Sequence, residues 1–280
     1  MNDPKISKEL SDSSECVRDT PENIAEPRIL LEEEDFLICL KPPGIPTPRR
    51  QAPHTEADQE SPGGRIRSLA DWIAAQYPEC EAASLSQEQT RQAHNPDCGI
   101  CHRLDTETSG VMLVAKNPSF YKALRAAFHA GRVEKEYVCL VEGRVEQEQE
   151  VQGYLYGRYR RSQKVQVSPH EVPRSQLAKL RIMPEQGLGM DCRKPFEASI
   201  LRIQLITGLR HQIRAQLASL GHPLVGDSLY GSTRSLGEIA QRVEPYEHLS
   251  RTFLLHAEYI AFHHPLTNKR IEMRSPLEWD

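Results

Sequence analysis

Between Cys98 and Gly110 the chain reads Cys-Gly-Ile-Cys-His-Arg-Leu-Asp-Thr-Glu-Thr-Ser-Gly, a run in which most side chains can bind, donate or attack. Three chemistries suit it. Cys98-x-x-Cys101-His102 has the spacing of covalent haem attachment, but that chemistry belongs to exported proteins, and the N-terminal MNDPKISKELSDSSE has no apolar stretch to direct export. His94, Cys98, Cys101 and His102 could offer four zinc ligands. A lone CxxC without a second pair points to metal only weakly, and cysteines beside a strand are usually small buried hydrophobes. Asp105 stands just before the apolar Val111–Ala115. Its carboxylate could serve as a nucleophile or base in a site, or it could bond its own backbone in a turn.

A second group of reactive side chains lies in Arg158–Arg181. Arg158, Arg160, Arg161, Lys164, Arg174, Lys179 and Arg181 are opposed there only by Glu171, and Tyr154, Tyr156 and Tyr159 open the stretch. Basic charge interleaved with aromatic rings suits a phosphate backbone with bases to stack, although a solvated charged face would look the same. The net charge of -4 hides this asymmetry. Residues 1–35 carry 11 acidic against 4 basic side chains, which leaves 28 acidic and 31 basic for the rest. The body is therefore mildly basic, and a nucleic-acid partner is compatible with it.

These residues need a scaffold, and 280 residues suffice for one large domain or two modest ones. Hydrophobic residues at 38% and charged residues at 26% describe a globular protein, and no apolar run approaches the roughly 20 residues of a membrane span. A cytoplasmic protein with its seven cysteines as reduced thiols is expected. Residues 1–27, rich in Asp, Glu, Ser and Pro, read as a disordered acidic tail. Phe36–Leu40 reads as a strand stopped by the rigid turn Lys41-Pro42-Pro43-Gly44, and Ser68 as the cap of a helix carrying Leu69, Trp72 and Ile73. Val111–Ala115, Tyr137–Val141 and Ser199–Ile206 are expected strands, with helices over Ser119–Ala130 and Arg210–Leu220. Tyr259–His263 and Lys269–Met273 are expected to pair as a hairpin. Residues 144–197 read as less regular. Strands and helices mixed without regular alternation predict an α+β domain.

The run His102-Arg103-Leu104-Asp105-x-x-Thr108-Ser109-Gly110 resembles the HRLDxxTSG signature of the RluA-type pseudouridine synthases. The resemblance continues in order along the chain. Lys41-Pro42-Pro43-Gly44 is similar to the family's KPxG turn, and Lys135-Glu136-Tyr137 to its KxY element. Thr207–Arg214 with Gly226-Asp227 and Tyr230-Gly231 is similar to TGRxHQIR…GDxxYG, and Leu255-His256-Ala257 with His264-Pro265 to LHA…HP. The resemblance implies one catalytic domain over 28–280, with a mixed, largely antiparallel sheet flanked by helices and variable loops near 48–67, 144–197 and 232–249. It leaves no room for the N-terminal S4-like domain of some relatives.

It further implies an enzyme without metal or cofactor that isomerises uridine to pseudouridine in ribosomal or transfer RNA, with a monomer as the default state. Asp105 would be the catalytic aspartate, Arg214 the cation that keeps it ionised in a dry pocket, and Tyr137 the ring that stacks on the flipped base. Lys41, His102, Arg103, Arg158, Arg160, Arg161, Lys164, Arg210 and His211 are the expected RNA contacts, with Arg103 filling the vacated space or steadying a phosphate. Gly226, Asp227 and Gly231 read as turn residues, and His256 as structural. Two positions depart from the pattern: Leu209 where the family has Arg, and Gln216 where it has His. The competing class is an RNA-binding protein or chaperone that keeps the fold without turnover. Retention of Asp105, Tyr137 and Arg214 together speaks against it, because binding alone requires none of them.

Overall fold

The structure, a computed structural model, describes residues 25–49, 68–84, 97–159, 162–185, 197–237 and 252–277. Most of the acidic tail and most of the expected loops at 48–67 and 232–249 lie outside the described residues, as do His94, Arg160 and Arg161.

Among the described residues ten strands form one sheet. In chain order they are β1 (Arg28–Glu32), β2 (Phe36–Lys41), β3 (Ser109–Ala115), β4 (Glu134–Glu142), β5 (Gln149–Gly157), β6 (Val165–Ser168), β7 (Gln176–Pro184), β8 (Ala198–Leu205), β9 (Leu255–His263) and β10 (Arg270–Arg274). Their spatial order is β1-β2-β3-β9-β4-β8-β7-β5-β6, with β10 paired to β9. Every pairing is antiparallel except the short parallel contact of Ser109 and Gly110 with His256 and Ala257. With the four α-helices of the described residues, α1 (Leu69–Gln76), α2 (Glu79–Ala83), α3 (Pro118–His129) and α4 (Gln212–Ser219), this is the expected α+β architecture.

β2 and β3 are apolar on both faces because both are covered. Leu37, Cys39, Met112 and Val114 point into a core that includes Leu69, Ala70 and Ile73 of α1. Phe36, Ile38, Leu113 and Ala115 point into a second core with Phe120 and Leu124 of α3, where the rings of Phe36 and Phe120 stack at 5.2 Å. Strands buried on both sides read as continuous hydrophobic runs, which is how these two look in the sequence. Helix starts follow side-chain caps: Ser68 accepts from the Asp71 N–H, and Asn117 from the Phe120 N–H with Pro118 behind it. The helix expected from Ser119 therefore begins one residue earlier.

Residues 144–197 differ from the expectation of irregularity. Their described part carries β5, β6 and β7 at one end of the sheet, where β5 lies between β7 and the edge strand β6. β5 buries only Gly153 and Leu155, so its alternation is diluted by residues facing solvent.

Candidate active site

Asp105 sits in the segment leading into β3, and that segment is pinned by the Lys41-Pro-Pro-Gly turn. The Lys41 ammonium donates to the carbonyls of Pro42 (2.8 Å), Ile45 (2.8 Å) and Thr106 (3.0 Å), and the Gly44 N–H donates to Thr106 as well (2.9 Å). The Thr47 hydroxyl donates to the Leu104 carbonyl and accepts from the Leu104 N–H. Backbone on both sides of Asp105 is thus fixed by another loop. Lys41 is fully buried, so the expectation that it contacts RNA is corrected: its charge is spent on carbonyls that hold the loop.

The Asp105 side chain is 27% exposed and opens on a cleft of about 1280 Å³. Arg214 on α4 reaches it with Nη1, 3.2 Å from Oδ2. The rest of the guanidinium is committed to Asp227, with Nε 2.6 Å from Oδ2 and Nη2 2.8 Å from Oδ1. Rings of Phe253 and Tyr230 flank it at 4.6 and 5.0 Å. A forked cation held by a second carboxylate and two rings has little freedom to rotate, and it presents one N–H to the Asp105 carboxylate. Burial pulls the Arg214 pKa down, but the hydrogen bonds it donates to Asp227 and the charges of Asp227 and Asp105 outweigh that and hold it above its ordinary value. Asp227 is 1% exposed. Its role as the anchor of Arg214 goes beyond the turn residue expected from the sequence, and the only sequence sign of it is its place in the GDxxYG-like segment.

Tyr137, on central β4, is buried with its ring on the cleft wall. Burial, helped by the Asp105 charge, raises its pKa, so the phenol stays neutral. His211, the residue just before α4, takes the left-handed backbone region (φ 53°). Its Nδ1 lies 3.0 Å from the Tyr230 hydroxyl and its Nε2 3.8 Å from Asp105. Burial lowers its pKa despite the opposing pull of Asp105, so it lines the site as a neutral ring rather than as a cation for RNA.

His102 is likewise no cation. Its Nε2 accepts from the Leu113 N–H (3.1 Å), its ring stacks on Phe128 (4.8 Å), and burial pushes its pKa down to about 3. Both histidines were expected to contact RNA. The structure makes them cleft wall, and any contact with RNA there would be made by an uncharged ring. Arg103 is exposed at the cleft. Arg210 donates to the carbonyl of Ser162 and, at 3.0 Å, to that of Gln163, which ties the tip between β5 and β6 to the start of α4. Arg158 and Lys164 are exposed on that tip, and the Lys164 ammonium lies 5.1 Å from the Tyr230 ring centre.

The two departures turn inward. Gln216 is fully buried against the sheet, with Nε2 3.5 and 3.4 Å from the Val151 and Ala178 carbonyls, and Leu209 packs with Leu155, Ala215 and Tyr230. Cys101 donates to the Gly99 carbonyl, and burial pushes the Cys98 thiol up to about 12 and that of Cys101 higher still. Both pack as small apolar side chains. Among the described residues no three His, Cys, Asp or Glu side chains converge as a metal site would need, and no helix is long and apolar enough to cross a membrane.

The cleft is lined by six Lys and Arg side chains against three Asp and Glu, a balance that suits a polyanion. Comparison with known proteins agrees with that chemistry. A family model described as RNA pseudouridylate synthase matches residues 35–219. An uncharacterized RNA pseudouridine synthase of Bacillus subtilis, YjbO, is 31% identical over 92% of this chain and 76% of its own length. Ribosomal large subunit pseudouridine synthase C of Vibrio cholerae is 34% identical over 64% of this chain and 51% of its own length. In fold, the chain is similar to the solved human RNA pseudouridylate synthase domain containing 1, with a TM-score of 0.59 at 21% identity over 92% of this chain and 86% of that one. The extent of the family match and the similarity to YjbO over most of both lengths place the chain in the RNA pseudouridylate synthase family, whose members are isomerases acting on RNA.

Proposed function

We propose that the chain converts uridine to pseudouridine at selected positions of structured RNA, with Asp105 acting on the sugar of a uridine turned out of its helix and into the cleft. The observation that carries this is the Asp105–Arg214–Asp227 relay facing Tyr137 in a cation-lined cleft. The isomerisation breaks the bond from N1 to C1′ and makes one from C5 to C1′. C5 gives up its proton to solvent and N1 gains one, so nothing is oxidised or reduced and no external group is consumed.

An ionised carboxylate beside the ribose can attack C1′ or remove the C2′ proton, and either route needs Asp105 charged while water is displaced from the cleft. Arg214 supplies the opposing charge, and Asp227 keeps Arg214 from drifting toward the substrate phosphates. Tyr137 offers a flat neutral face for the loosened uracil, and Arg103 at the mouth fills the gap left in the RNA helix or binds a phosphate. Exposed Arg158, Lys164 and Arg210 extend the positive surface along the tip between β5 and β6. The names of the ribosomal relatives make large-subunit ribosomal RNA the first substrate class to test, with transfer RNA the second.

The test is pseudouridine mapping by carbodiimide modification and primer extension in RNA from a deletion strain, complemented with wild type or Asp105→Ala. The expected result is a site lost on deletion, restored by wild type and not by Asp105→Ala. Full restoration by the variant would remove Asp105 from the mechanism. No lost site in any RNA class would leave a binding protein.

A further inference from the structure

Among the described residues three Lys and Arg residues are buried as a whole, Lys41, Arg214 and Lys135, and the Arg49 side chain, 8% exposed, is paired with Asp71 and Glu81. Lys41 is satisfied by three carbonyls and Arg214 by two carboxylates. Lys135, 8% exposed and lining the same cleft, has no hydrogen-bond or carboxylate partner among the described residues. Its ammonium lies 5.9 Å from the Phe128 ring centre, and a Cβ on Gly208 would stand 3.4 Å from it. The neighbouring titratable and charged groups do not compensate it. His102 is neutral, Arg125 and His129 of α3 are basic, and Ile260 is its partner on β9.

The strand explains where Lys135 points. The bulge between β4 and β9 places its extra residue, Glu258, on β9, so β4 keeps its alternation. Glu136 turns to the other face, where Arg274 donates to it at 2.9 Å, while Lys135 and Tyr137 both open on the cleft. Two residues along a strand span roughly 7 Å, about the reach from a nucleobase to a phosphate of its own nucleotide. A buried ammonium without a counter-ion is costly, and a ligand that brings the anion relieves that cost on binding.

We infer that Lys135 is an RNA-binding residue that holds a phosphate of the nucleotide whose base rests on Tyr137. The inference rests on the cleft being the uridine site. The alternative, a lysine kept for its packing, predicts that the methylene stem matters and the charge does not. Burial pulls the free Lys135 ammonium down to about 8, which gives the phosphate contact a signature of its own. A phosphate beside it raises that value, so phosphate affinity declines as pH rises from about 8.

The experiment follows the Lys135 side-chain resonance by NMR in the full chain with ¹³C-labelled lysine, free and with uridine, uridine 5′-monophosphate or uridine 3′-monophosphate. At least one monophosphate is expected to raise the titration midpoint by about one pH unit or more, and uridine to leave it in place. Lys135→Met is expected to melt no lower than wild type and to bind uridine equally, but to bind that monophosphate about 10-fold or more weakly, with Lys135→Arg regaining part of the loss. A midpoint unmoved by both monophosphates overturns the assignment, and so does a Lys135→Met protein that binds them as wild type does. Pseudouridine mapping with Asp105→Ala separates the two possible failures: a site that still depends on Asp105 would leave the reaction standing and Lys135 alone misassigned.

Discussion

Arg214 and Asp227 form a two-pronged buried pair, 2.6 and 2.8 Å apart, that leaves only Nη1 of the guanidinium to reach Asp105. The order of these contacts matters. Asp105 is bound by the end of a cation that something else has already fixed, so it can engage substrate without releasing Arg214 into the cleft.

Asp227→Ala leaves a buried guanidinium with one half-exposed partner. The expected outcome is a loss of about 3 kcal/mol of stability or more, and slower isomerisation because Arg214 is no longer aimed. Urea unfolding gives the first quantity, and single-turnover release of tritium from [5-³H]uridine RNA the second. A variant as stable and as fast as wild type would mean that Arg214 is positioned by its flanking rings alone.

Asp105→Ala should behave in the opposite way. The carboxylate is partly exposed, and Arg214 keeps Asp227 when it goes, so stability is expected to change by about 1 kcal/mol or less. Turnover is expected to fall on the order of 10⁴-fold or more, as it does when a reacting group is removed from its unit. Unfolding curves paired with tritium release separate this pattern from that of Asp227→Ala, and a variant that retains turnover would exclude Asp105 as the reacting group.

The contrast also marks what the sequence could tell. Asp105, Tyr137 and Arg214 sit in runs dense enough to be picked out, and β2, β3 and α3 follow from apolar patterning with caps. Asp227 was legible only as a turn residue, because an Asp after a Gly looks the same whether it ends a turn or anchors an arginine 13 positions earlier. Lys41 misleads for a related reason. A lysine at a turn in an RNA-modifying family is expected to contact RNA, and only the fold shows its ammonium turned onto three carbonyls. β5 and the edge strand β6 are hidden because too few of their residues are buried to print a strand's alternation on the sequence, whereas β7 buries Ala178, Leu180 and Ile182 in alternation.

His102 gives a pH dependence with a definite sign. Its folded pKa is pushed down to about 3 by burial and by the charges of Lys135 and Arg125, against an ordinary value of 6.5. Between those values the unfolded chain binds a proton that the folded chain refuses, so this residue removes stability as pH falls from about 6.5 toward 3. His102→Gln, which keeps an acceptor for the Leu113 N–H but does not titrate, is expected to show a shallower acid loss of stability. Urea midpoints for both proteins at pH 7, 6, 5 and 4 decide it, and parallel curves would refute it.

The tip between β5 and β6 should bind RNA without reading it. Arg158 and Lys164 are exposed there, and Lys164 lies over Tyr230, whose hydroxyl accepts from the Val165 N–H and whose ring flanks Arg214. Phosphates held on this tip would therefore run beside the catalytic helix. Replacing both residues by Gln is expected to flatten the dependence of log affinity on log salt by roughly 0.7 to 0.9 for each phosphate no longer neutralised, and to weaken binding to all RNA sequences alike. The chemical step at saturating RNA should be unchanged, since neither side chain touches Asp105. Filter binding over a salt series, set beside single-turnover rates, tests all three statements. An unchanged slope would place the RNA backbone elsewhere, with the cleft-lining Arg103 and Arg125 as the next cations to remove.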